Sequence, residues 1–155
     1  MAPKEDLVAI KPATINIDFD GLCPLLQVFD MPTSVKFYRE VLGFELAGNS
    51  PIVHSPQGDY FHWCMLRRGS TTIMLNTAYD EGERPPVPDP ARFAVHSDTA
   101  LFFGCPDVDT TFNQLLPFHI TVLEKPFTTV YNMRRFTIAD PDGYNLSFQG
   151  PVQAQ

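Results

Sequence analysis

Apolar and polar positions fall into two runs of the same form. The first opens with Leu22-Cys23-Pro24-Leu25-Leu26-Gln27-Val28-Phe29, an apolar stretch of strand length stopped by Asp30. Asp30, Pro32, Thr33 and Ser34 are helix-start residues, because short oxygen side chains satisfy the free amides of a first turn. Val35, Tyr38, Val41 and Leu42 then form one helical face with Phe37 beside it, and Gly43 ends it. Phe44 to Ala47 predicts a strand. A turn-rich stretch follows from Gly48 to Gly58. Tyr60 to Leu66 and Thr71 to Thr77 then predict a hairpin across the Arg67-Arg68-Gly69-Ser70 turn.

The second run repeats this order. Thr99 to Gly104 is again a strand-length apolar run, and Asp107 again stands before a helical face of Val108, Phe112, Leu115 and Leu116. Strands are predicted at His119 to Leu123, Arg134 to Ala139 and Asn145 to Gln149, with a turn at Asp140-Pro141-Asp142-Gly143. Val35 and Phe112 each lie five residues past their aspartate, and Tyr38 and Leu115 each lie eight past. A unit present twice argues for duplication rather than a solenoid.

The domain plan is a 1–20 N-terminal extension and one domain over 21–150. Module one spans 21–79, a connecting loop 80–98 and module two 99–150. The proline-rich Pro85 to Pro90 segment marks the seam, since proline donates no amide and resists helix and central strand.

Composition narrows the function. With 44% hydrophobic and 19% charged residues the chain is globular rather than disordered. A formal net charge of −7 argues against nucleic acid and favours neutral or cationic small ligands. No membrane-length apolar run occurs, so no membrane partner is expected. Cys23, Cys64 and Cys105 are odd in number and have no zinc-type spacing, which predicts free thiols and a cytoplasmic location. No Gly-x-Ser-x-Gly elbow or glycine-rich phosphate loop is present.

The segment Asp30-Met31-x-x-Ser34-Val35-x-Phe37-Tyr38-x-x-Val41-Leu42-Gly43-Phe44 resembles the opening motif of the vicinal oxygen chelate superfamily. That superfamily includes glyoxalase I, extradiol dioxygenases and bleomycin-resistance proteins. Met133-Arg134-Arg135-Phe136-x-Ile138-x-Asp140-Pro141-Asp142-Gly143-x-x-Leu146-x-Phe148 is similar to its closing signature. The resemblance covers Leu22 to Gln149. It implies an α+β fold of two tandem βαβββ modules in a U-shaped mixed sheet around a cavity. It also implies a homodimer.

Metal-using members carry ligands on the first and last strand of each module. The matching positions here are Cys23, Met74, Ala100 and Ser147, a set unsuited to a divalent ion. No metal, cofactor or catalytic residue is therefore expected. The expected lining is Gln27, Trp63, Met74, Asn76, Phe102, Arg135 and Ser147, suited to a small ligand, aromatic or cationic. Function is thus expected to be metal-independent small-molecule binding of the bleomycin-resistance type, sequestering a drug or aromatic metabolite. The alternatives are a lyase, isomerase or dioxygenase with a relocated metal site, for example at His62, His96 and Asp98, and a non-catalytic interaction module whose own Phe and Met side chains fill the cavity.

Overall fold

The computed structural model describes residues 16–154. Most of the expected 1–20 extension lies outside the described residues. The elements run β1 (Leu25–Val28), α1 (Met31–Lys36) continued by a π-helical turn (Phe37–Val41), β2 (Glu45–Asn49), β3 (Trp63–Arg68) and β4 (Thr71–Thr77). Then come α2 (Pro90–His96), β5 (Ala100–Gly104), α3 (Val108–Leu115) with a 3-10 turn (Leu116–Phe118), β6 (Thr121–Thr128), β7 (Met133–Ala139) and β8 (Asn145–Pro151).

The two modules have the same topology. Their sheets are ordered β1-β4-β3-β2 and β5-β8-β7-β6. In each, the first strand runs parallel to the last and the other pairs are antiparallel. The fold is the expected α+β pair of tandem βαβββ modules.

Each helix starts for a local reason. The Asp30 carboxylate accepts from the Thr33 amide at 3.0 Å, and that of Asp107 from the Thr110 amide at 3.0 Å. Both aspartates have extended backbone, as an N-cap requires. Gly43, at φ +73°, closes the first helical segment in the left-handed region that glycine adopts freely.

Period-two alternation then sorts the strands into a core face and an open face. Leu26, Val28, Cys64, Leu66, Ile73 and Leu75 are buried in module one, as are Phe136, Ile138 and Leu146 in module two. Tyr38, Met31, Val108, Phe112 and Leu115 pack on them from the helices. The Phe44 and Phe103 rings meet edge-on at 6.5 Å and join the two halves of the core.

Two expectations are corrected. Residues 80–98 are not simply a connecting loop, because α2 forms within them. Asp89 caps it by accepting from the Ala91 amide at 2.9 Å, and Pro90 occupies its first turn, where its missing amide costs nothing. β6 begins later than predicted, because His119 takes φ 54° and ends the 3-10 turn instead of starting a strand. β6 then runs on to Thr128 through two register shifts. Among the described residues no helix is long and apolar enough to cross a membrane.

Candidate functional site

On the open face of module one, strand register lines up three of the expected residues. Gln27 pairs with Asn76, and Asn76 with Trp63, across β1, β4 and β3. The Asn76 amide reaches Gln27 Oε1 at 3.4 Å. Met74 stands in the next row, between Leu25 and Met65. Trp63 is half-buried, and its ring edge lies 4.0 Å from where a Cβ on Gly48 would sit. The indole therefore lies towards β2, with glycine leaving it room.

The other three lie on one face of the module-two sheet, where Phe102 is exposed, Arg135 is half-buried and Ser147 is buried. Phe102 pairs with Ser147, Ser147 with Thr137, and Thr137 with Glu124. Thr137 Oγ1 lies 3.0 Å from a Glu124 carboxylate oxygen and 2.9 Å from Ser147 Oγ. In the next row the Arg135 guanidinium carbon lies 5.8 Å from the Phe102 ring centre and 5.0 Å from that of Phe127. Its Nη2 is 3.7 Å from Glu124, and its buried Nε has no partner. Phe102 is 57% exposed, so an aromatic face is available beside that charge.

Adjacent Arg134 points the other way. Its guanidinium makes two bonds of 2.7 and 2.8 Å to Asp109 at the start of α3. Glu124, Phe127 and Thr137 were not foreseen as neighbours of Phe102 and Arg135. β6 meets β7 through the two register shifts flanking Glu124, so parity counted along the sequence loses the pairing.

The closing turn clamps the modules together. Asp140 accepts from the Tyr38 hydroxyl at 2.7 Å and from the amides of Asp142 and Tyr144, both at 2.9 Å. Asp142 accepts from the Phe29 amide at 2.6 Å and the Ser34 hydroxyl at 2.9 Å. The Tyr144 hydroxyl receives the Gln27 amide at 3.0 Å, and the His96 ring stacks on Tyr144 at 4.1 Å. Burial pushes the Asp140 carboxyl up to about 6, against the opposing effect of its hydrogen bonds. Burial also raises Asp142, while the Phe29 and Ser34 bonds pull it back. These aspartates are structural ties with their acceptor capacity engaged.

The histidines stay apart. His54 pairs with Asp59, His62 Nδ1 lies 2.7 Å from Thr77 Oγ1, and His96 Nδ1 lies 2.7 Å from the Asp142 carbonyl. His119 sits at the left-handed end of its turn. Among the described residues no three His, Cys, Asp or Glu side chains converge as metal ligands, so the relocated His62, His96 and Asp98 set does not assemble. The residues do not fit the metal that enzymatic relatives use. The three cysteines are free. Burial pushes the Cys64 thiol up to about 11, which removes it as a nucleophile at neutral pH.

Tandem βαβββ modules of this topology define a vicinal-oxygen-chelate-type fold. The chain belongs to the Glyoxalase/Bleomycin resistance protein/Dioxygenase superfamily, whose model it matches over residues 22–148. Similar solved structures include TnmS3, an antibiotic binding protein from Streptomyces sp. CB03234. It has 22% identity and a TM-score of 0.61 over 88% of this chain and 100% of that one. A superfamily protein from Nocardioides has 15% identity and a TM-score of 0.66, over 91% and 89% of the two chains. The virulence protein STM3117 from Salmonella typhimurium has 24% identity and a TM-score of 0.56, over 88% and 100%. No curated protein matches the chain.

Proposed function

We propose that this chain is a metal-independent small-molecule-binding protein that holds a planar, partly aromatic ligand on its open sheet faces. The observation that carries the reading is the Phe102, Arg135 and Phe127 group. It presents an exposed ring beside a cation that lies between two aromatic faces. A planar ligand stacks on Phe102 and turns a carbonyl or phenolic oxygen towards Arg135, while Glu124, held from beneath by buried Thr137 and Ser147, accepts at its edge. The module-one row of Gln27, Asn76 and Trp63, with Met74, offers a second polar and aromatic surface to such a ligand. The mechanism is stoichiometric sequestration. The likeness to an antibiotic binding protein supports the same reading.

The working unit is a homodimer in the cytoplasm. Leu25 and Phe102 on the open faces are 48% and 57% exposed, and a second copy laid against them would turn two open faces into enclosed sites. The free thiols agree with a reducing compartment.

Calorimetric titration with a planar quinone and a cationic glycopeptide antibiotic tests the reading. Binding of at least one, with Phe102→Ala weakening it roughly tenfold, is expected. Absence of binding to every planar or cationic compound tried contradicts it.

A further inference from the structure

β1 is a short edge strand with β4 as its one ladder neighbour. Its ladder bonds use alternate residues: the Met74 amide donates to the Pro24 carbonyl and the Ala78 amide to that of Val28, both at 2.8 Å. The amide and carbonyl of Gln27 therefore face away from β4. One side chain takes both. The Tyr144 hydroxyl accepts from the Gln27 amide at 3.0 Å and donates to the Gln27 carbonyl at 3.2 Å, across 117 residues of sequence.

Tyr144 is itself held on several sides. It is buried, its amide donates to the Asp140 carboxylate at 2.9 Å, and its carbonyl accepts from the Asp140 amide at 3.0 Å. The His96 ring covers one face at 4.1 Å and 10°, and His96 Nδ1 lies 2.7 Å from the Asp142 carbonyl. Burial raises the Tyr144 hydroxyl above its ordinary range, so it stays protonated and keeps its donor role.

The second module forms without such a tie. Gly104 stands three residues before Asp107, as Gln27 stands three before Asp30. Thr71 stands three before Met74, as Tyr144 stands three before Ser147, and those two residues pair with Leu25 and Phe102. β5 is thus built with an exposed threonine at the matching place and a glycine that has no side chain to orient. The tie falls on the junction whose strand residue carries a side chain in the Gln27, Asn76 and Trp63 row.

We infer that Tyr144 is a positioning residue: its hydroxyl fixes the Gln27 backbone and so sets the Gln27 side chain against Asn76 for contact with a planar ligand. Gln27 Oε1 accepts from the Asn76 amide at 3.4 Å, a long bond that a small shift of β1 would break. A backbone anchored at both its amide and its carbonyl resists that shift. This role rests on the reading of the open faces as a ligand site.

A double-mutant cycle of Tyr144→Phe and Gln27→Ala, titrated calorimetrically with a planar quinone well below the melting point, tests it. Each single variant is expected to bind roughly fivefold more weakly, and the pair no more weakly than Gln27→Ala alone. Tyr38→Phe removes another hydroxyl that bonds the closing turn, and it should keep the parent's affinity. Without ligand, amide exchange at Gln27 should quicken about tenfold in Tyr144→Phe and stay unchanged at Leu75. Parental affinity in either single variant, losses that add in the pair, an equal loss in Tyr38→Phe, or unchanged exchange at Gln27 overturns the role of Tyr144 and leaves the ligand reading standing. If Tyr144→Phe does not fold, His96→Ala, which uncovers the ring and leaves its hydroxyl, decides: weaker binding is expected and parental affinity overturns the role. A parent that binds no planar quinone also overturns it, and one that binds no planar or cationic compound at all overturns the ligand reading too.

Discussion

The Tyr38 hydroxyl donates a 2.7 Å hydrogen bond to Asp140, so the opening motif of the chain touches its closing motif. Ser34 and Asp142 repeat that relationship at 2.9 Å. The residues that carry the family resemblance are thus the residues that tie one module to the other. Tyr38→Phe leaves Asp140 short of one donor in a site without solvent. A loss of roughly 1–3 kcal/mol in urea unfolding is expected. A change below about 0.5 kcal/mol would show that the tie contributes little.

Asp140 also sets a pH dependence. Its folded-state value is raised to about 6 by burial, above the roughly 3.9 of an unfolded aspartate. The folded chain therefore holds this proton more tightly than the unfolded chain. The contribution is fully present below the unfolded value and is lost as pH rises towards about 6. Asp142 is raised too and acts in the same direction. Melting curves between these limits should show Asp140→Asn less sensitive to rising pH than the parent, by up to about 1.4 kcal/mol per pH unit. Parallel pH profiles for the two proteins would remove Asp140 as the source.

Gly150 is fixed by a close approach. A Cβ there would sit 1.7 Å from the Cys105 carbonyl oxygen, so β5 would have to move away from β8. Gly150→Ala should cost at least the upper end of the roughly 1–3 kcal/mol typical of overpacking. Gly104→Ala, with open space around its Cβ, should stay within about 0.5 kcal/mol of the parent. Equal stabilities for the two variants would contradict the described packing of β5 on β8.

How far the sequence could be read depended on the range of each interaction. Asp30 and Asp107 were legible as helix starts because an N-cap acts over three residues. The sequence carried same-strand parity, which sets Met74 with Asn76 and Gln27 with Leu25, but not the cross-strand pairs Leu25 with Met74 and Phe102 with Ser147, which only sheet register supplies. Glu124 was not legible, since the register shifts in β6 break that count. α2 was hidden by prolines that read as linker but serve its first turn. The roles of Asp140 and Asp142 were only half visible: their turn is local, while Tyr38 and Ser34 lie more than 100 residues away in sequence.

The ligand reading assigns unequal roles to the two arginines of β7. Arg135→Gln should weaken binding of a planar quinone while leaving the melting temperature near that of the parent. Arg134→Gln should leave binding unchanged, since its guanidinium is held by Asp109 on the helix side. Equal losses of affinity in both variants would mean that charge at a distance, not contact at the open face, drives binding.

Trp63 is the chain's only tryptophan and lies in the Gln27 and Asn76 row, so its fluorescence reports on the proposed site directly. Titration with a planar quinone, followed by Trp63 emission in metal-chelated buffer, tests the central claim most directly. The account predicts saturable quenching at a fixed stoichiometry, weakened by Phe102→Ala and indifferent to the chelator. Quenching that is unsaturable, unaffected by Phe102→Ala, or abolished by the chelator would contradict it.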